Sequence, residues 1–206
     1  MAATNILNAE RVTKTYGTRT ILDEVSLGLG KGDVIGVVGR NGDGKSTLLK
    51  VLTGAIEPDD GRVTRTGSVS IGVLTQAEQV CEGQTVRDLI VDGEPDHVWA
   101  RDAYRRAVVE HLLADIDLDA ELSRLSGGER RRAGLVSLML GHHDLLVLDE
   151  PTNHLDVTAI EQLEEALESY TGALLLVTHD RRLLENVRLD QRWAIEAGRV
   201  AVDVVR

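Results

Sequence analysis

The sequence predicts an α/β fold in which a largely parallel buried sheet is flanked by helices, with an antiparallel β-subdomain near the N-terminus and an inserted helical stretch. Three observations carry this expectation. The runs VIGVVG (34–39), LLVLD (145–149) and ALLLVTH (173–179) are continuously apolar and end in polar residues, as strands buried on both faces do. Stretches of helical periodicity separate them, the pattern of strand–helix–strand units. Hydrophobic residues make up 42% of the chain but aromatics only 2%, with no Phe, so the core falls to Leu, Val, Ile and Ala.

Taken in order, Val25, Leu27 and Leu29 alternate with Ser26, Gly28 and Gly30, and Val69, Ile71 and Val73 alternate with Ser70 and Gly72. Both segments are expected as half-buried antiparallel strands. A helix is expected from Ser46 to Ile56, carried by Leu48, Leu49, Leu52 and Ile56 and stopping before Pro58 and the turn Asp59-Asp60-Gly61. Beyond Pro95, Ala100, Ala103, Tyr104, Ala107, Val108 and Leu112 recur at helical spacing, with Arg101, Arg105, Arg106 and Glu110 outward. This marks a helical insert between about 84 and 124, reaching about 144 when the helix after Leu125 is counted with it. Ile160, Leu163, Leu167 and Tyr170 mark a further helix whose outer face is acidic through Glu161, Glu164, Glu165 and Glu168. Leu183, Leu184 and Val187 define a short helix, and RWAIEAGRVAVDVV reads as a hairpin. There is no low-complexity linker and no internal repeat.

A chain of 206 residues is one large domain, or a domain with a subdomain, and can bury a sizeable core. Its net charge of −11 argues against strong nucleic-acid binding by this segment alone, since such binding rests on Lys and Arg neutralising phosphates. The arginines at 101, 105, 106 and 130–132 are the residues from which a local basic patch could be built. A single cysteine, Cys81, excludes an internal disulfide, and the chain opens without a basic-then-apolar signal segment, so the expected location is cytoplasmic. No apolar run approaches the roughly 20 residues that span a bilayer, so no membrane insertion is expected.

The strongest chemical signal is GRNGDGKST at 39–47, a strand followed by a Gly-rich loop that opens a helix. Gly39, Gly44, Lys45 and Ser46 satisfy the spacing of a phosphate-binding loop. The glycines let backbone N–H groups turn toward phosphate oxygens, Lys45 brings a point charge to the outer phosphates, and Ser46 offers its hydroxyl to Mg²⁺. Such a loop needs a metal-holding carboxylate; LLVLDE supplies Asp149 for Mg²⁺ and Glu150 beside it for the attacking water. Standing alone, LLVLDE would read as a buried strand capped by acidic residues, and the two motifs support each other. LSGGERRR at 125–132 contains Ser126-x-x-Glu129 before an apolar run, which is a capping box. The same helix start favours an anion, so Ser126, Gly127 and Gly128 are also candidates to grip a phosphate. His179 ends the third buried run, where a hydrogen-bonded structural imidazole and a functional one are both open readings. Gln76 ends SVSIGVLTQ and by itself is only a polar strand terminus.

In this order the motifs resemble the ATP-binding cassette family over essentially the whole chain: GRNGDGKST as Walker A, LSGGE as signature, LLVLDE as Walker B. The resemblance implies a phosphate-binding-loop ATPase cassette with a mixed central sheet, an N-terminal antiparallel β-subdomain and an inserted helical subdomain, binding ATP and Mg²⁺. It implies that Tyr16 stacks on adenine and that Gly39, Arg40, Asn41, Gly42, Asp43, Gly44, Lys45, Ser46 and Thr47 wrap the phosphates. Gln76 becomes the Q-loop residue, a metal ligand with Ser46 and Asp149, and His179 the switch histidine acting with Glu150, Lys45 and Gln76 in catalysis. Ser126, Gly127, Gly128 and the D-loop residue Asp156 would complete the nucleotide site of a facing second cassette, in the same full-length chain or in a homodimer.

The wording EPTNHLD at 150–156, with Asn153 and His154, resembles the ABC-F branch, whose members carry two cassettes in one chain and no membrane spans. Many of them act on the ribosome. The expectation is therefore the first cassette of a longer protein, coupling pairing of cassettes to work on a large partner such as the ribosome or its tRNA. An ATPase subunit of a transporter with spans on another chain is the alternative, and a nucleotide-gated module that barely turns ATP over is a third reading. Two departures stand out. Asp43 places a carboxylate where the family has a small uncharged residue, which would oppose the phosphates and weaken ATP binding unless it points away. The stretch from Gln76 to Ser126 is too short for the long arm of some ABC-F members, and no heptad run suggests a coiled-coil insertion.

Overall fold

Two sheets of opposite character lie in layers, and the phosphate-loop strand belongs to the buried one. In the computed structural model, residues 5–74, 83–91, 94, 99, 101–153 and 155–205 are described. Strands β1 (Asn5–Tyr16), β2 (Arg19–Gly30) and β4 (Asp60–Arg65) form an antiparallel sheet of order β2-β1-β4. The second sheet has the order β5-β6-β7-β3-β8-β9, from β3 (Val34–Gly39), β5 (Ile71–Leu74), β6 (Leu145–Asp149), β7 (Ala173–Val177), β8 (Gln191–Glu196) and β9 (Arg199–Val204). Its first five members run parallel and β9 closes the edge as an antiparallel hairpin partner of β8. The central sheet is thus mixed, as expected.

The continuous apolar runs have the predicted cause. Leu146 and Leu148 of β6, with Leu174 and Leu176 of β7, enter the core under the helices α2 (Val86–Val91), α4 (Gly127–Leu140) and α5 (Val157–Glu168). Their neighbours Leu145, Val147, Leu175 and Val177 enter the opposite core, against the antiparallel sheet and α1 (Lys45–Thr53). Period-two alternation is present, but both faces are dry, so both sets must be apolar. The helical insert contains α2, α3 (Ala103–Leu112) and a 3₁₀ turn at Leu122–Arg124, and α3 packs on α4 and α5.

Several local expectations are corrected. The Val69–Val73 segment is not antiparallel: β5 pairs in parallel register with β6, Ile71 opposite Leu145. It alternates because it is a sheet edge with unlike neighbours; Leu74 meets the helices, while Gly72 leaves the room that the His143 ring fills. Helix α1 stops at Thr53, three residues early, because Gly54 takes a left-handed conformation (φ 75°) and its N–H bonds to Val51 O. Glu164 is buried rather than outward, accepting from Asn186 Nδ2 at 2.7 Å, and Tyr170 lies past the end of α5. Two of the arginines from which a basic patch could be built, Arg105 and Arg132, are engaged by carboxylates, whereas Arg101, Arg106 and Arg130 are exposed. Arg105 pairs with Glu94 at 2.7 Å and Arg132 with Asp115 at 2.6 Å, both with side chains turned largely inward. Hydrogen bonding from Arg132 holds the Asp115 carboxyl below the usual carboxylate range.

Candidate functional site

The site begins where β3 ends. Gly39 passes so close to β8 that an added Cβ would lie 2.6 Å from Ile195 O, and at Gly44 (φ 106°) one would lie 2.8 Å from Ile21 Cγ2. Both glycines are therefore sterically required, and between them the loop turns to deliver α1 with no acidic residue in its first turn and no side-chain cap. A helix start left open in this way presents its N–H groups and dipole to an anion. Lys45, the first residue of α1, is buried, and its Nζ donates to Gly39 O at 2.9 Å and Arg40 O at 3.1 Å. The ammonium is thus held inside the loop.

Asp43 turns back within the loop, where its Oδ2 accepts from Arg40 N–H at 2.8 Å. Arg19 fixes the far side, donating to Gly42 O at 3.1 Å. The carboxylate is thus engaged in bracing the turn. Asp43→Ala should weaken ATP binding about fivefold, the equivalent of about 1 kcal/mol for a lost hydrogen bond to a charged acceptor in a loop that must stay shaped. Equilibrium titration with ATP tests this, and tighter binding in the variant would restore the repulsion reading.

Across the cleft, Ser46 Oγ donates to Asp149 Oδ2 at 2.8 Å, joining the start of α1 to the tip of β6. Two hard oxygen donors so placed suit Mg²⁺. Glu150 follows with a positive φ of 49°. Its N–H is fixed by Val177 O at 2.8 Å, and its carboxylate receives His179 N–H at 3.3 Å and faces His179 Nε2 at 3.2 Å. The same Nε2 stands 2.8 Å from Asn41 Oδ1, so with Asn41 in that orientation both its neighbours are acceptors and Nε2 carries the hydrogen. His179 thereby bridges the phosphate loop to Glu150. A cavity of about 360 Å³ gathers Tyr16, Gly42, Lys45, Ser46, Asp149 and Glu150 on its wall. Tyr16 is 53% exposed, with Lys14 Nζ 5.9 Å from its ring centroid, so one aromatic face is available for stacking.

The signature residues are elsewhere. Ser126 caps α4 and closes a capping box with Glu129, accepting from Glu129 N at 3.3 Å while Ser126 N donates to Glu129 Oε2 at 2.7 Å. Hydrogen bonding from the Ser126 side chain, and then from its backbone N–H, holds the Glu129 carboxyl below its ordinary range. A depressed carboxylate adds stability above its unfolded pKa and loses it as pH falls through the folded one, so the box is closed at neutral pH. Ser126 and Gly128 share a second cavity, about 320 Å³, with Arg132, Leu155 and Asp156, and no residue lines both this and the Lys45 cavity. Asp156 is the N-cap of α5, accepting from Ala159 N at 2.8 Å. Gln76 and His154 lie outside the described residues. Sequence reasoning missed Arg131, whose only signal was the run of three arginines after Glu129; its guanidinium reaches the carbonyls at the tip of β6.

Residues 22–153 match the family model described as ABC transporter. The chain is 36% identical over 94% of its length to the energy-dependent translational throttle protein EttA of Mycobacterium tuberculosis, covering 41% of that protein. It is 36% identical over 87% of its length to the ribosome protection protein VmlR of Bacillus subtilis, covering 32% of it. The chain thus spans less than half the length of these curated relatives. Among solved structures, one titled RNase-L Inhibitor matches all of the chain with a TM-score of 0.84 and 29% identity, over 41% of that chain. Among the described residues, no helix is long and apolar enough to cross a membrane.

Proposed function

The chain belongs to the ABC transporter family of ATP-binding cassettes, and from that premise we propose that it is an ABC-F cassette that binds and hydrolyses ATP as one member of a pair. The observation that carries this reading is the meeting of Lys45, Ser46, Asp149 and Glu150 on one cavity, from the start of α1 and the tip of β6, about a hundred residues apart in the chain. Lys45 and the N–H groups at the start of α1 bind the β- and γ-phosphates. Ser46 and Asp149 would hold Mg²⁺, which when bound neutralises phosphate charge and orients the γ-phosphoryl group. Glu150 takes a proton from the water whose oxygen attacks the γ-phosphorus as the bond to the β–γ bridging oxygen breaks. The His179 backbone N–H donates to the Glu150 carboxylate while its ring reaches Asn41 of the phosphate loop, so the base is aimed before substrate arrives.

Ser126 and Gly128 line another cavity together with Asp156, and with Gly127 between them they complete the nucleotide site of a second cassette. We read the chain as the first cassette of a longer, cytoplasmic two-cassette protein. Its share of EttA and VmlR supports this, and their names, a translational throttle and a ribosome protection protein, support the ribosome as the partner on which pairing does its work. Gln76 keeps its proposed role as metal and water contact. ATP turnover per molecule, measured against the concentration of the chain, should climb to a plateau as cassettes pair; a rate already maximal at the highest dilution would overturn the composite site.

A further inference from the structure

Arg131 stands on α4 five residues after the cap Ser126, yet its guanidinium leaves the helical lobe and ends on the backbone of β6. Nη2 donates to Asp149 O at 3.1 Å and to Glu150 O at 2.6 Å, and Nε donates to Pro151 O at 3.3 Å. Three consecutive carbonyls are thus gathered by one planar fork, which suits Arg and not Lys. The middle one belongs to the residue with positive φ, a conformation that strains a non-glycine residue and persists where its surroundings over-determine it. The surroundings here are identifiable: Val177 O holds the Glu150 N–H and Arg131 holds the Glu150 carbonyl.

We propose that Arg131 is a positioning residue for ATP hydrolysis, fixing the backbone of Glu150 so that its carboxylate points into the Lys45 cavity. This rests on the reading of Glu150 as the base. Arg131 is not among the residues lining the Lys45 cavity or the signature cavity, so it acts on the chemical step and leaves nucleotide binding alone. Because it rides on the helix that Ser126, Gly127 and Gly128 begin, any movement of α4 when those residues engage an anion reaches Glu150 through this side chain.

The test uses Arg131→Gln and Arg131→Lys in the paired protein, with Glu150→Gln alongside, reading turnover, the Kd of a fluorescent ATP analogue and the thermal midpoint. Arg131→Gln should lower kcat at saturating ATP about thirtyfold while the Kd changes by less than about threefold, the mark of an interaction used in the transition state alone. Arg131→Lys, which can reach one carbonyl at a time, should recover part of the rate. In single turnovers, adding Arg131→Gln to Glu150→Gln should lose little more, since both act through one carboxylate. An unchanged kcat in Arg131→Gln, beside a silenced Glu150→Gln, overturns the positioning role alone. Loss of kcat and affinity in parallel overturns it in favour of a role in folding or binding. Full turnover in Glu150→Gln overturns the base assignment, and with it the route through Glu150.

Discussion

Glu150→Gln is expected to lower ATP turnover about 100-fold or more while ATP stays bound, the low end of what a general base contributes. Glutamine keeps the size of the side chain and one acceptor oxygen for the His179 N–H, so the strained turn and the cavity wall should survive. What it cannot do is take a proton. On the proposed reading the nucleotide contacts fall to other residues, Lys45 and the start of α1, so affinity should hold and closed, ATP-loaded pairs should accumulate. Size-exclusion chromatography with radiolabelled ATP reads both outcomes at once. A variant that hydrolyses at the original rate would mean that the water is activated elsewhere. His179 would then be the residue to change next, since it is the other group that reaches both Glu150 and the phosphate loop.

The phosphate loop and the three buried strands were legible because their causes are local. A Gly-rich loop between strand and helix has few conformations, and runs such as LLVLD need only the knowledge that both faces are covered, which Leu146 and Val147 then show by entering opposite cores. What was not legible depends on a partner distant in the chain. Glu164 reads as outward until α6 (Arg181–Asn186) brings Asn186 against it. Asp43 reads as a repulsive charge until the loop folds Arg40 N–H onto it, and Arg131 reads as surface charge until β6 arrives beneath it. The β5 segment shows the same limit for topology. Alternation reports that the two faces differ, not which way the neighbouring strand runs, and here Ile71 meets Leu145 of a parallel strand. Charged residues near the site were thus the least readable, because a guanidinium or carboxylate can serve solvent, a partner side chain or a backbone group with no change in sequence pattern.

A carboxylate placed at the start of α4 should separate folding from function. In Gly127→Asp the new Cβ meets nothing within 4 Å, and an acidic residue in the first turn of a helix is favourable by about 0.3–1 kcal/mol. The chain should therefore unfold at the same temperature or slightly higher. Turnover should nevertheless fall about 100-fold, because the charge and N–H groups meant to stabilise a facing γ-phosphate would meet a fixed anion instead. ATP affinity at the chain's own Lys45 should stay within about twofold, since Gly127 does not line the Lys45 cavity and its neighbours Ser126 and Gly128 line the other one. Calorimetric melting, ATP titration and turnover on the same preparation distinguish the readings. Stability and affinity retained with turnover lost is what a composite site requires, and it makes a second test available. Gly127→Asp mixed with Lys45→Ala should regain activity, because the intact Lys45 cavity of one chain meets the intact signature of the other. Turnover unaffected by Gly127→Asp would instead leave the capping box as the whole purpose of LSGGE, and each cassette would have to hydrolyse ATP with its own residues.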